Sequence, residues 1–204
     1  MLTLYFFPGA CSMAAHIILE ESGEKYTPQQ VDFTKAEQRS ENYLKINPQG
    51  RVPVLRLDDG ETVAENTAIL PYLGKRFGLW PTDPVAEAKA LSLIGFLAAS
   101  VHPAHAHFNR PERYTADQAG FLGIKDTGLK TFHNYLKQLD ERLDGREWFS
   151  DRYSVLDPYG FVFYTWGVRR ELPMAELKNY TAFKDRMLQR PAVQHVVEQE
   201  KVKL

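Results

Sequence analysis

The chain has 204 residues, 44% of them hydrophobic and 25% charged, which suits a soluble globular protein with room for a proper core. A formal net charge of −1 gives the whole molecule no preference for nucleic acid or an anionic membrane, and no wholly apolar run reaches the roughly 18 residues that span one. The single cysteine, Cys11, excludes an internal disulfide and any cysteine-cluster metal site, and it fits a reducing cytoplasm.

The apolar start lacks a basic leader region and is interrupted by Pro8-Gly9, so it reads as a strand rather than a signal peptide. Leu2 to Phe7 is that strand. From about Ser12 to Ser22 apolar residues at Ala14, Ile17 and Ile18 predict a helix closed by Gly23. A second strand is expected near Gln29 to Phe33, then an irregular helical stretch from Glu37 to Leu44. Val52 to Leu57 and Glu61 to Ala64 form a hairpin through Asp58-Asp59-Gly60. A helix from Asn66 to Phe77 follows, with Pro71 expected to kink it. The order is β-α-β-α-β-β-α. Composition changes at the proline-bearing run Gly78 to Pro84, and no strand pattern lasts beyond it. Val85 to Phe108, Ala116 to Leu143, Val155 to Arg169 and Ala175 to Leu188 read as helices. Ser154 and Asp157 form a box at the start of the third of these. The division is a mixed domain over 1–78, a linker over 79–86 and an all-helical domain over 87–204.

Three segments resemble the glutathione transferase family in place and order: Pro8-Gly9-Ala10-Cys11-Ser12, Asn47 to Leu55 with Val52-Pro53 inside it, and Glu65-Asn66-Thr67-Ala68-Ile69. The Ser154–Asp157 box with Trp166 downstream is similar to that family's signature in its last domain. Cysteine after Pro-Gly-Ala, with Phe96 to His102, narrows the likeness to the bacterial beta class. The resemblance implies an α/β plus all-α fold, a thioredoxin-like glutathione-binding domain followed by a helical bundle. It implies an enzyme that transfers glutathione, its co-substrate, to a small apolar electrophile or exchanges it with disulfides. It further implies a cytoplasmic homodimer in detoxification, with no nucleic-acid or membrane partner. A binding protein of the stringent-starvation type on the same fold is the alternative; such relatives tend to lose the glutathione site that these motifs retain.

The family's roles fall on named residues. Val52, ahead of a cis Pro53, is expected to pair strand-like with the glutathione backbone. Asn66, at a helix start, and Glu65 are expected at the γ-glutamyl end, and Lys35 and Arg51 near the glycyl carboxylate. Cys11 is the chemical centre. Its place at a helix start is expected to lower its thiol pKa and raise its thiolate fraction at neutral pH. Ser12 is either a second thiolate-stabilising hydroxyl or a plain helix cap, and His102 is expected to face the cleft. His102, His105 and His107 do not share one helix face and no carboxylate falls in register, so no metal is expected. Phe108, Tyr114, Phe121, Tyr164 and Trp166 either line a pocket or pack the core, and Trp166 is assigned to the core. Three departures from the class stand out: Phe6 where a tyrosine hydroxyl is a candidate, Asn66 where Ser or Gly is usual, and Gly95 where an asparagine helps to hold the cysteine.

Overall fold

The computed structural model describes residues 1–204. Strand β1 (Leu2–Phe6) leads through a turn into helix α1 (Met13–Ser22), and β2 (Tyr26–Gln30) returns parallel to β1, Leu2 opposite Tyr26 and Phe6 opposite Gln30. On the other side of β1, β3 (Val54–Arg56) runs antiparallel, with Leu4 opposite Leu55. Strand β4 (Thr62–Ala64) closes the hairpin, giving a mixed sheet of order β2-β1-β3-β4. This is the thioredoxin-like arrangement that the motifs implied.

The second strand lies earlier than expected. Pro28 argues against a strand by pattern, but β2 is at the sheet edge, where a missing amide is tolerated. Phe33, expected in the strand, instead opens a short 3₁₀ turn (Phe33–Lys35) capped by the Asp32 carboxylate, which accepts from the Thr34 and Lys35 amides. The stretch expected from Glu37 to Leu44 divides into a 3₁₀ turn (Glu37–Arg39) and helix α2 (Glu41–Ile46), capped by the Ser40 hydroxyl accepting from Tyr43 N–H.

Alternation along β1 decides which residues meet which layer. Leu2, Leu4 and Phe6 enter the main core with Ile17 and Ile18 of α1 and with Ile69 and Leu73 of α3 (Asn66–Arg76). Tyr5 points the other way and joins Val31, Tyr43, Val52 and Val54 in a smaller cluster.

The helical half begins inside the expected linker. Asp83 accepts from the Val85 and Ala86 amides and so starts α4 at Pro84. Helix α4 (Pro84–Phe96), a π turn over Leu97–Val101 and α5 (His102–Asn109) form one continuous helical run. By length and composition alone that run is apolar enough to cross a membrane; here it forms a wall of the helical half, packed on α3 and on the later helices α6 and α7. Helix α6 (Phe121–Arg142) and α8 (Lys178–Leu188) each start later than the pattern suggested, behind short 3₁₀ turns. Helix α7 (Leu156–Arg169) is buried almost throughout, and its Asp157 carboxylate accepts from Ser154 N–H (2.7 Å), as the box predicted, and also from Phe149 N–H (2.9 Å) in the preceding loop. Helix α9 (Pro191–Gln199) was not foreseen. Helix α1 packs on α3, α7 and α9, so one apolar core runs through both halves.

Candidate active site

The turn between β1 and α1 carries the site. Gly9 has a φ of 66°, which favours glycine, and a Cβ there would also have to displace the Arg169 guanidinium. Its two backbone groups are held by the helical half. Gly9 N–H donates to Glu200 Oε2 at 2.7 Å, and its carbonyl accepts from Trp166 Nε1–H at 2.9 Å. The second Glu200 oxygen lies 2.7 Å from His16 Nδ1, and both of those side chains are completely buried. Trp166 is core, as expected, but it also fixes this turn. Glu200 and His16 were missed, because no local motif marks a carboxylate so far along the chain.

Cys11 follows, nearly buried. Its thiol donates to the Val52 carbonyl at 3.5 Å, and its own carbonyl accepts from Asn66 Nδ2–H at 2.9 Å. The expected low thiol pKa is not found in the free chain. Burial first, and then the Glu65 charge, push the thiol up to about 12. The local backbone amide and the charges of Arg110 and Arg51 act in the expected direction but do not outweigh the loss of solvent. Ser12 is also corrected. It is wholly buried, and its hydroxyl accepts from Phe7 N–H (3.2 Å) and donates to the Phe7 carbonyl (3.3 Å), so it neither caps α1 nor presents a free hydroxyl.

The Val52–Pro53 peptide is cis, and the Arg51 carbonyl just before it accepts from Tyr43 O–H and Asn47 Nδ2–H, each at 2.8 Å. Asn47 thus braces the loop from within its own motif. Glu65 is exposed and has a φ of 70°, an uncommon conformation for a residue with a Cβ and one that concentrates at functional sites. Asn66 opens α3 and is buried. Its amide nitrogen donates one hydrogen to the Cys11 carbonyl and keeps a second, while its Oδ1 has no partner. Lys35 is exposed and pairs with Asp32 at 3.3 Å within its own turn.

His102 is half-buried, its ring edge-on to Trp166 (5.0 Å between centroids) and Phe163 (6.2 Å). Burial, and then the charges of Arg110, Arg51 and Arg113, lower it to about 4, so it is neutral at neutral pH. His105 stacks on Trp166 at 4.2 Å and is lowered to about 3, chiefly by burial. His107 lies against Tyr114 at 3.9 Å. His102 and His105 share the Trp166 ring and His107 packs on Tyr114, and no three His, Cys, Asp or Glu side chains gather as a metal site.

The family model for the N-terminal domain of glutathione S-transferases matches residues 1–75. Glutathione S-transferase GstA of Escherichia coli O157:H7 is 31% identical over 99% of this chain and 100% of its own length. The chain belongs to the glutathione transferase family. A glutathione transferase homologue from Sulfitobacter, solved with bound glutathione, superposes with a TM-score of 0.92 at 36% identity, covering 98% of each chain. A bacterial beta-class glutathione S-transferase from Sphingomonas chungbukensis gives 0.85 at 31% identity, covering 97% of this chain and 98% of its own.

Within that family the departures acquire a physical reading. Phe6 is packed in the core 4.8 Å from the His16 ring and offers no hydroxyl, while Tyr5 sits with Tyr43 on the opposite face. Gly95 faces open space, so nothing on α4 reaches the cysteine from there. Asn66 holds the Cys11 carbonyl from α3 instead.

Proposed function

We propose that this chain binds glutathione along the Val52–Pro53 edge and uses it as a co-substrate, transferring it to an electrophile or exchanging it with disulfides at Cys11. The observation that carries the reading is the 3.5 Å contact between the Cys11 thiol and the Val52 carbonyl. It brings the one cysteine onto the backbone group that a bound peptide would use for strand-like pairing. The start of α3, with its free amides, suits the γ-glutamyl carboxylate, and Glu65 suits the ammonium beside it. Arg51 and Lys35 are the cations for the glycyl end.

The chemistry follows from these positions. In conjugation the glutathione thiolate attacks the electrophilic carbon and the leaving group departs with the bonding pair. In exchange the Cys11 thiolate attacks one sulfur of a disulfide, forming a mixed disulfide and releasing the other half as a thiolate. A second glutathione thiolate then displaces Cys11. His102, neutral at neutral pH, is suited to accept rather than donate a charged hydrogen bond. A two-fold homodimer in the cytoplasm, acting in detoxification, completes the reading, as does a boundary between the halves over 79–86.

Retention on immobilised glutathione, with elution by free glutathione, tests binding. Oxidised glutathione should add one glutathionyl mass per chain, and Cys11→Ser should abolish it. Failure to bind glutathione at all would sink the proposal, and sedimentation as a monomer at micromolar concentration would remove the dimer.

A further inference from the structure

Asn66 joins two parts of the site that lie 55 positions apart in the chain. It is the first residue of α3, so its backbone amide is one of the free donors at that helix start. The Glu65 carbonyl before it accepts from the Ala68 and Ile69 amides (3.0 and 2.9 Å) and fixes where the helix begins. The side chain runs into the protein. Asn66 is 4% exposed, and its Nδ2–H donates to the Cys11 carbonyl at 2.9 Å.

Little else holds the cysteine so closely. The Cys11 carbonyl also accepts from the Ala14 amide, but at 3.3 Å, longer than the bonds from Met13 to Ala10 and from His16 to Ser12, each 3.1 Å. The Cys11 thiol reaches the Val52 carbonyl at 3.5 Å, and a thiol is a weak donor. Of the hydrogen bonds that tie Cys11 to the rest of the protein, the one from Asn66 is the shortest. It leaves the Asn66 Oδ1 buried without a partner. An orphaned acceptor is costly, and an apolar side chain filling the same space would avoid it. Packing does not account for an amide here. The bond to Cys11 does.

We propose that Asn66 is a positioning residue for Cys11: its backbone amide meets the γ-glutamyl carboxylate, its side chain holds the cysteine, and the sulfurs of the bound tripeptide and of Cys11 are thereby kept in register for exchange. This deepens the glutathione reading above and rests on it. In the exchange the Cys11 thiol gives its proton to solvent, and the sulfur lone pair forms the new S–S bond. The pair of the old S–S bond leaves with the departing glutathione thiolate. The attack runs along the axis of the breaking bond, so it depends on where the sulfur sits as well as on whether it is ionised.

Three measurements on the full chain test this, with Asn66→Ala and, should that variant fold poorly, Asn66→Ser, the residue usual here in the family. Adduct formation with glutathione disulfide, followed by mass, should slow about tenfold, as expected of a displaced nucleophile. Alkylation of the free protein by iodoacetamide should instead speed up, because a thiol released from its buried place is easier to reach. Affinity for S-methylglutathione, which cannot exchange, should fall by only about twofold, since the backbone amides of α3 remain. Slower exchange together with faster alkylation reports position, and a loss of stability alone would give neither. Two rates that move in the same direction would point to thiol ionisation, and unchanged rates in a less stable variant to a structural bond; either overturns the proposal. An affinity loss as large as the rate loss would make the side chain a ligand of glutathione and also overturn it. If the parent protein does not bind S-methylglutathione, the glutathione reading has failed and this proposal with it; the alkylation arm, which needs no glutathione, keeps the two failures apart.

Discussion

From the sheet half, Cys11 is met by groups close to the backbone: the Val52 carbonyl at its thiol and the Asn66 amide at its carbonyl. From the helical half the same turn is met by long side chains, the Trp166 indole and the Glu200 carboxylate, both closing on Gly9. On the proposed function the first set serves recognition, because a backbone carbonyl such as that of Val52 can pair with a peptide whatever its side chains. The second set is built for placement, because it clamps the turn that aims the cysteine without occupying the cleft. The difference separates two kinds of damage. Losses on the sheet side should read out in glutathione binding, and losses on the helical side in stability.

The largest effect expected is at the meeting point. Cys11→Ser should abolish the glutathionyl adduct and disulfide exchange, while conjugation can persist because glutathione supplies its own thiol. Alkylation of the free protein sharpens the point. With the thiol pushed up by burial, iodoacetamide should react slowly at neutral pH and faster as pH rises towards 12. Bound glutathione competes for the Val52 carbonyl, so it should change that rate. Fast alkylation at pH 7 in the absence of glutathione would show that the thiol is not held as described.

Next in size is the buried clamp. Glu200→Ala leaves Gly9 N–H without its acceptor and His16 without its carboxylate, in a place no solvent reaches. Breaking such a buried pair costs about 3 kcal/mol. Urea unfolding should show that loss, with glutathione affinity in the folded protein changed much less. A destabilisation under about 1 kcal/mol would mean the clamp is incidental.

What could be read from the residues alone follows the same division. The recognition side was legible because its parts are short and local: a Pro-Gly turn before the cysteine, Val52-Pro53 before a strand, Glu65-Asn66 at a helix start. The placement side was not. Glu200 is an ordinary glutamate in a polar stretch, and only folding brings α9 against α1 to make it a buried acceptor. Ser12 was misread for a related reason, since its hydroxyl serves Phe7, just past β1, rather than the helix it precedes. The thiol pKa was expected low because a helix start is visible in sequence, whereas the burial that outweighs it depends on residues from every layer. The edge position of β2, which excuses Pro28, likewise needs the sheet order before it can be known.

Smaller again, on the sheet side, is Glu65→Ala. The carboxylate is exposed and its contribution comes from a charge partner on the ligand, so glutathione affinity should fall about tenfold, ~1.4 kcal/mol, with unfolding little changed. Affinity unchanged within twofold would remove Glu65 from the site.

The smallest effect concerns His102 on the helical side, and its sign can be worked out. The ring is lowered to about 4 in the folded protein, against an ordinary value near 6.5 in the unfolded chain, by burial and by Arg110, Arg51 and Arg113. Between those values the unfolded chain takes up a proton that the folded protein refuses. The contribution of His102 to stability is therefore fully present above about pH 6.5 and is lost as pH falls towards 4, by at most ~1.4 kcal/mol per pH unit. His105 titrates in the same sense, its ring lowered to about 3, so the comparison must hold it constant. His102→Asn does so: the stability difference between parent and variant should be flat from pH 7 to 8 and should drift in favour of the variant from pH 6.5 down to 4.5. Carboxylates shared by the two proteins cancel in that difference. A difference that stays flat to pH 4.5 would mean that the ring keeps its ordinary pKa in the folded protein, and that burial is not what keeps it neutral at pH 7.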